Sequence, residues 1–499
     1  MTPRPQPQLR ARRPRVLVLP ALLLLAFTLP GCALGPGYRR PDLPAPQAWR
    51  TPDSLLVVSA SERAAADTSW WRSFGDPVLD VLVRDALTHN SDIRIAAARV
   101  DEYRARYGVA RSEFSPKVGL SAGGARGQFS AVPPGPDGRP TTEAYEVRLN
   151  ATWEIDLWGR VRRASEAASA DLRATEELRR GVVMSVVSLT AEGYIQLLAL
   201  DRKLEYARET AALRAQSRGL FRQRLAKGDL SELEMSQVES QYWNAVAQVH
   251  ELEAAVKKAE NGLSVLVGRL PSAVERGMTI DSLRTPVVPV GLPSTLLERR
   301  PDVRESEAAL RSAQARIGVA KARLFPTLSL TGLFGYTSPE LSDLVQTPNR
   351  IWDVGAGLFE PVFRGGELFA QVRVAESVQR RALEGYAATV RNAFRDADDA
   401  LTDRASLEQS WRAQAQQVAA LETYLRLARM RYSEGVTSYL EVLDADRSLF
   451  AQRIALVDTR SRLLRSTVGV YRAFGGGWVD AATAQATQAT QAEESGRKR

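Results

Sequence analysis

Proline is absent from two long stretches of this chain. None lies between Pro140 and Pro271, and none follows Pro361. A proline inside a helix removes a backbone hydrogen bond and costs about 3 kcal/mol, so these stretches are free to be helical over unusual lengths. Residues 160–227 and 367–434, rich in Ala, Arg, Glu, Leu and Gln, each predict a single helix. At 1.5 Å per residue such a helix runs for about 100 Å. Rods of that length are held by packing along a seam rather than by propensity. The stretches that follow carry such a seam. Over 230–267, residues Met235, Val238, Tyr242, Ala245, Val249, Leu252, Val256, Ala259, Leu263 and Leu266 recur at alternating spacings of three and four, and all are apolar or aromatic. Over 438–473 the same spacing runs from Leu440 to Tyr471, broken only by Arg447 and Ser461.

The layout occurs twice. Asn90-Ser91-Asp92-Ile93-Arg94 corresponds to Arg300-Pro301-Asp302-Val303-Arg304, and Gly108-Val109-Ala110-Arg111 to Gly318-Val319-Ala320-Lys321, at an offset of 210. Further on, Gly228 corresponds to Gly435 and Gly268 to Gly475, at an offset of 207. The period is far longer than that of solenoid repeats. The chain reads as a duplicated half, residues 78–290 and then 291–478, each with a helix, two strands, a very long helix, a turn and a long helix.

The strand pairs are expected near 116–128 and 144–157, and again near 326–336 and 351–362. Glu146 to Ile155 alternates apolar with polar at period two. Each strand has about the length needed to cross a bilayer as a tilted barrel strand. Trp153, Trp158, Phe325, Phe334, Tyr336, Trp352, Phe359 and Phe363 fall in or beside them, as aromatic girdles do. Four strands cannot close a barrel, and open sheet edges cannot face lipid. The chain is therefore expected to oligomerise.

Residues 1–31 read as a leader. Arg10 to Arg15 form a basic start, and Val16 to Leu29 an apolar run too short to span a bilayer. Leu29-Pro30-Gly31-Cys32 resembles a bacterial lipobox, which implies a lipid on Cys32, and Ala33 after it favours the outer membrane. Cys32 is the only cysteine, and His89 and His250 are the only histidines. That excludes a disulfide framework within the chain and leaves little room for a metal centre. The formal charge of +9 falls to +4 without the five arginines of the leader, so nucleic-acid binding loses its support. No phosphate loop or catalytic constellation is recognisable, and neither enzymatic activity nor a cofactor is expected, apart from the lipid.

Together these segments resemble the outer-membrane factor family, the TolC-like channels of bacterial tripartite export systems, in the lipidated branch serving resistance–nodulation–division pumps. The resemblance covers about 32–478. It rests on Gly35-Pro36-Gly37-Tyr38 after the lipobox and on Trp70-Trp71-Arg72-Ser73-Phe74-Gly75-Asp76-Pro77 within the segment 32–77. It rests also on Asp156-Leu157-Trp158-Gly159-Arg160, Pro361-Val362-Phe363-Arg364-Gly365-Gly366, and Arg431-Tyr432-Ser433-Glu434-Gly435. The resemblance implies an α+β membrane protein. A homotrimer would form a 12-stranded β-barrel, four strands per chain, continuous with a periplasmic α-helical coiled-coil barrel. It implies an outer-membrane exit duct for small toxic molecules, with a periplasmic adaptor and an inner-membrane pump as partners, and with outer-membrane lipid around the barrel. A protein-secretion channel of type I, or a coiled-coil lipoprotein without a pore, are the other readings.

By the same resemblance the turns at Gly228 and Gly435 lie at the periplasmic end. Glu441 and Asp444 match acidic constriction residues, with Leu440 as an apolar constriction beside them and Glu234 as the first-half counterpart. Tyr432 matches a latch tyrosine, but Thr437 stands where its basic partner occurs in the best-known member, so any latch must use other groups. Gly228, Leu230, Ser231, Gly435, Thr437 and Ser438 are expected to meet the adaptor. Asp396, Asp398 and Asp399 read as a solvated face, and 479–499 as a disordered tail.

Overall fold

The computed structural model describes residues 33–44, 46, 48–50, 69–128, 141–286 and 297–476. Cys32, the leader, the turn-rich segment 133–140 and the tail 479–499 lie outside the described residues. Among the described residues a 3-10 turn, Trp70–Phe74, precedes α1 (Pro77–His89) and α2 (Ser91–Ser112). Strands β1 (Lys117–Gln128) and β2 (Thr141–Ile155) follow, then α3 (Arg160–Ala226) and α4 (Glu232–Leu266). The second series is α5 (Pro301–Ala322), β3 (Thr327–Ser338), β4 (Arg350–Phe359), α6 (Glu367–Ser433) and α7 (Tyr439–Ala473).

The two series agree in length. The long helices α3 and α6 have 67 residues each, and α4 and α7 have 35 each. The helices α2 and α5 have 22 each, and β1 and β3 have 12 each. The hairpins agree in register as well. Lys117 pairs with Thr152 in the first, and Thr327 with Phe359 in the second. First strands are therefore offset by 210 and second strands by 207. These are the offsets seen in the sequence motifs.

The four strands form one antiparallel sheet in the order β1-β2-β3-β4, which leaves β1 and β4 as its edges. The chain divides into two compact units that cut across the halves. The first holds the described residues up to Arg39, with Ala105–Ala170 and Leu310–Arg381, and contains the whole sheet. The second holds Arg40–Arg104, Asp171–Ala309 and the residues from Ala382 on.

The second unit has a continuous apolar core. Trp70 and Phe74, Leu79 and Val83 of α1, Tyr194 and Ile195 of α3, Leu263 of α4, and Val468 and Tyr471 of α7 belong to one buried cluster. Trp70 stacks on Tyr471 with centroids 5.0 Å apart. Among the described residues, α3 is the one helix apolar enough over 18 residues to cross a bilayer, and 61% of that window is buried. Its apolarity serves the core. The Tyr194 hydroxyl ties three segments together. It donates to Asp76 Oδ2 at 2.8 Å and accepts from the Gly277 amide at 2.9 Å. Asp76 Oδ1 in turn accepts from the Val78 amide and caps α1.

Candidate functional site

The sheet is two-faced. Its register aligns Leu120, Leu149, Phe334 and Trp352 in one row across all four strands, with Val118, Ala151, Gly332 and Val354 in the next row on that side. The opposite side carries Ser121, Arg148, Asn150, Thr152, Thr331 and Asp353. The apolar side is bare: Leu120 is 75% exposed, Trp352 71% and Val354 78%. An uncovered apolar sheet face of this extent marks contact with lipid or protein. Aromatic groups gather where the strands begin and end. The Trp153 indole donates to the Phe114 carbonyl at 3.0 Å, and the Trp158 indole to the Pro326 carbonyl at 2.8 Å. Phe325 lies 4.9 Å from the Trp158 ring. Phe363 stands beyond β4 and is exposed.

The segment after Cys32 is fixed beside the β2–α3 junction. The Leu34 amide donates to the Trp158 carbonyl at 3.1 Å, and the Arg163 guanidinium donates to the carbonyls of Leu34 and Gly35. Gly159, at φ +77, comes so close to this segment that an added Cβ would lie 2.7 Å from Ala33 Cα. Asp156 starts α3 by accepting from the amides of Val161 and Arg162, both at 2.9 Å. Arg160 forks onto Glu154 with two contacts of 2.7 Å. Ala33 is thus held where β2 gives way to α3.

At the far ends of the long helices both turns have the same construction. Gly228 (φ +82) donates to the Leu225 carbonyl and Asp229 to that of Arg224. Gly435 (φ +74) donates to the Tyr432 carbonyl and Val436 to that of Arg431. These paired bonds close a helix with a left-handed glycine. Ser231 then opens α4 with a capping box, its hydroxyl accepting from the Glu234 amide while Glu234 accepts from the Ser231 amide. Those bonds hold the Glu234 carboxyl below its ordinary value. Glu234 is thus engaged as a helix cap. Ser438, the equivalent N-cap of α7, makes no such side-chain bond. Leu230 packs against the cluster of Phe221, Met235 and Val238, so its side chain belongs partly to the interior.

The same cluster joins the two hairpins. Tyr432 and Tyr439 pack on Phe221, with ring centroids 6.5 and 4.3 Å away. Arg224 donates to the Tyr432 hydroxyl at 3.0 Å. Arg224 belongs to the other half of the chain, 208 residues before Tyr432. Below it Arg214, with 8% of its side chain exposed, meets Asp446 at 3.0 Å and donates to the Gln241 carbonyl. Sequence alone marks neither arginine, because the Arg214–Asp446 and Arg224–Tyr432 contacts each cross more than 200 residues.

The acidic pair sits on the first turns of α7. Glu441 takes the Thr437 hydroxyl and stands 3.8 Å from Arg431; Asp444 stands 3.3 Å from Arg447 and is half exposed. Leu440 is 61% exposed and Val436 66%. Each acid of this pair therefore stands near an arginine. No group of His, Cys, Asp and Glu fit to hold a metal occurs among the described residues.

These features have counterparts in known proteins. The family model of the outer membrane efflux protein matches residues 82–269 and 292–476, in two segments related by the offsets above. The toluene efflux pump outer membrane protein TtgC of Pseudomonas putida is 33% identical over 475 residues, 95% of this chain and 98% of that protein. The cation efflux system protein CusC of Escherichia coli is 34% identical over 92% of this chain and 98% of its own length. The open state of the Neisseria gonorrhoeae MtrE outer membrane channel superposes with a TM-score of 0.80 at 28% identity, covering 89% of this chain and 98% of that one. The chain belongs to the outer membrane efflux protein family, and it is an outer-membrane channel of efflux rather than an enzyme.

Proposed function

We propose that three copies of this chain form the exit duct of a tripartite efflux system, closed at its periplasmic end by the hairpin tips. The observation that carries this reading is the four-stranded sheet with a bare apolar face and two unpaired edges. Lipid tolerates no open strand edge, and small closed barrels need about eight strands or more. Three copies supply about twelve. The polar face, with Arg148, Asn150 and Asp353, then lines the lumen. A lipoprotein without a pore would have no use for such a sheet.

Cys32 carries the lipid in this reading, and its acyl chains enter the leaflet beside the β2–α3 junction, where Ala33 is held. An adaptor docks on the turns at Gly228, Ser231, Gly435, Thr437 and Ser438, and an inner-membrane pump delivers the cargo. Gly228 and Gly435 face open space, so their surroundings leave room for a partner. Leu440, Glu441 and Asp444 narrow the mouth, with Tyr432 as the latch. The cargo is a small toxic compound. The names of relatives run from toluene to cations, which fits a duct that passes what its pump selects.

The test is native mass and solute flux. Purified protein in detergent is expected to have the mass of a trimer. In sealed vesicles it should pass small solutes slowly, and faster once Tyr432 is replaced by Phe. A monomer, or vesicles as tight as protein-free ones with both forms, would overturn the reading.

A further inference from the structure

Above the two turns, the four long helices enclose a cavity of about 300 Å³, within the second compact unit. Its walls come from both hairpins: Leu213 and Phe221 of α3, Val238 of α4, Tyr432 of α6, and Tyr439 and Leu443 of α7. The three rings form one aromatic cluster. Tyr439 lies 4.3 Å from Phe221 and 5.2 Å from Tyr432, centroid to centroid. Ligand pockets run from about 300 to 1,000 Å³, so this one has room for one or two fused rings.

The charges in this cavity do not balance. Arg214, Arg429 and Asp446 all line it, and Asp446 is the one acid among the described lining residues. The buried Arg214 holds Asp446 Oδ2 with two contacts, of 3.1 and 3.0 Å, and that pair is neutral. Arg429 reaches Asp446 Oδ1 only at 3.8 Å, too far for a hydrogen bond, and its side chain is half exposed. Among the described ion pairs it has no carboxylate of its own. One guanidinium is thus left over beside an aromatic cavity. Its planar fork matches a carboxylate, which it can take with two parallel N–H bonds.

We propose that this cavity binds a small aromatic carboxylate, its ring against Phe221, Tyr432 and Tyr439 and its charge on Arg429, and that the bound acid holds the two hairpins together. The binding follows from the cavity alone, whereas the effect on transport rests on the duct described above. A ligand that touches α3 and α4 on one side and α6 and α7 on the other binds best while those helices stay packed. It therefore favours the closed tip over any arrangement that parts them. At a ligand concentration equal to Kd each site doubles the weight of the closed state, so three sites in a trimer change it about eightfold. The Arg224–Tyr432 bond belongs to the same cluster, and the ligand acts in the same direction.

The probe is 2-naphthoate, with its neutral amide as the control. Binding is read by saturation-transfer NMR on the full-length protein in detergent, and transport by solute flux from sealed vesicles. Wild-type protein is expected to bind naphthoate at least tenfold more tightly than the amide. Arg429→Gln should lose that preference and Arg429→Lys keep part of it. Leu443→Trp fills the cavity without touching the charges and should abolish binding of both compounds. Flux through the wild-type protein should fall about eightfold at half-saturating naphthoate. A wild-type protein that binds no naphthoate, or that binds acid and amide alike, would overturn the site, as would undiminished binding by Arg429→Gln and Leu443→Trp. In vesicles that pass solute, unchanged flux with naphthoate bound would overturn its hold on the hairpins. A protein of monomeric mass that still binds naphthoate through Arg429 would overturn the duct and leave the site standing.

Discussion

Arg224, in the last turn of the first long helix, donates to the phenolic oxygen of Tyr432 in the last turn of the second at 3.0 Å, and its guanidinium lies 6.0 Å from that ring's centroid. This bond crosses between the hairpins at the tip. An exposed hydrogen bond of this kind contributes about 1 kcal/mol. In a trimer the three together contribute about 3 kcal/mol, which is roughly a hundredfold in the ratio of closed to open duct. Tyr432→Phe keeps the ring contact with Phe221 and removes only the bond. Cells carrying it are expected to admit a large antibiotic that the intact outer membrane excludes. Arg224→Ala should do the same, and the double variant should add little. Full additivity would mean that the two residues act separately.

Gly159 and Gly228 both have left-handed backbones, but only Gly159 has a neighbour in the way. Replacing either by Ala costs about 1–2 kcal/mol of backbone strain. Gly159→Ala must also push Ala33 aside. It should therefore free the N-terminal segment, seen as faster proteolysis between residues 33 and 40, while Gly228→Ala leaves that segment protected. Equal protection in both would remove the contact from the account.

Tyr194 is fully buried and holds Asp76 and the Gly277 amide at once. Burial pushes its phenol well above the usual range, so it remains a neutral donor at every working pH. Tyr194→Phe leaves a buried carboxylate and a buried amide short of a partner. A loss of about 3 kcal/mol is expected in denaturant unfolding, with the fold retained at low denaturant. A loss under about 1 kcal/mol would mean that water replaces the hydroxyl.

Glu305 in α5 has its carboxyl held above the ordinary value, first by burial and then by Asp302. A carboxyl raised on folding disfavours the charged form, so it destabilises the protein above its folded pKa and ceases to do so once protonated. Glu305→Gln should raise the melting temperature at pH 7–8. The gain should shrink as pH falls through the upper carboxylate range and vanish near pH 4. A gain independent of pH would point to packing instead of charge.

The architecture was legible because it is written in long-range patterns. Proline spacing and the seam from Met235 to Leu266 placed the long helices within a residue or two of their ends, Ala226 and Leu266. Alternation from Glu146 to Ile155 placed the core of β2, although the strand begins earlier, at Thr141. What the sequence hid was every contact that needs two distant segments in register. Arg224 and Arg214 look like ordinary helix-surface charges until the hairpins pack together. Leu230 on the turn and Glu234 in the first turn of α4 both read as surface, yet one packs into the Phe221 cluster and the other takes part in the cap of α4. The acidic pair at Glu441 and Asp444 was legible as acids, and Arg447 follows Asp444 at i+3, but the approach of Arg431 to Glu441 across the turn was not legible.

Single-channel conductance in a planar bilayer tests the central claim most directly. The purified wild-type protein is expected to give a small, steady conductance, and Glu441→Ala with Asp444→Ala a larger one with weaker preference for cations. A silent bilayer with both proteins would contradict the duct itself. Equal conductance from both would leave the duct and take the acidic pair out of its gate.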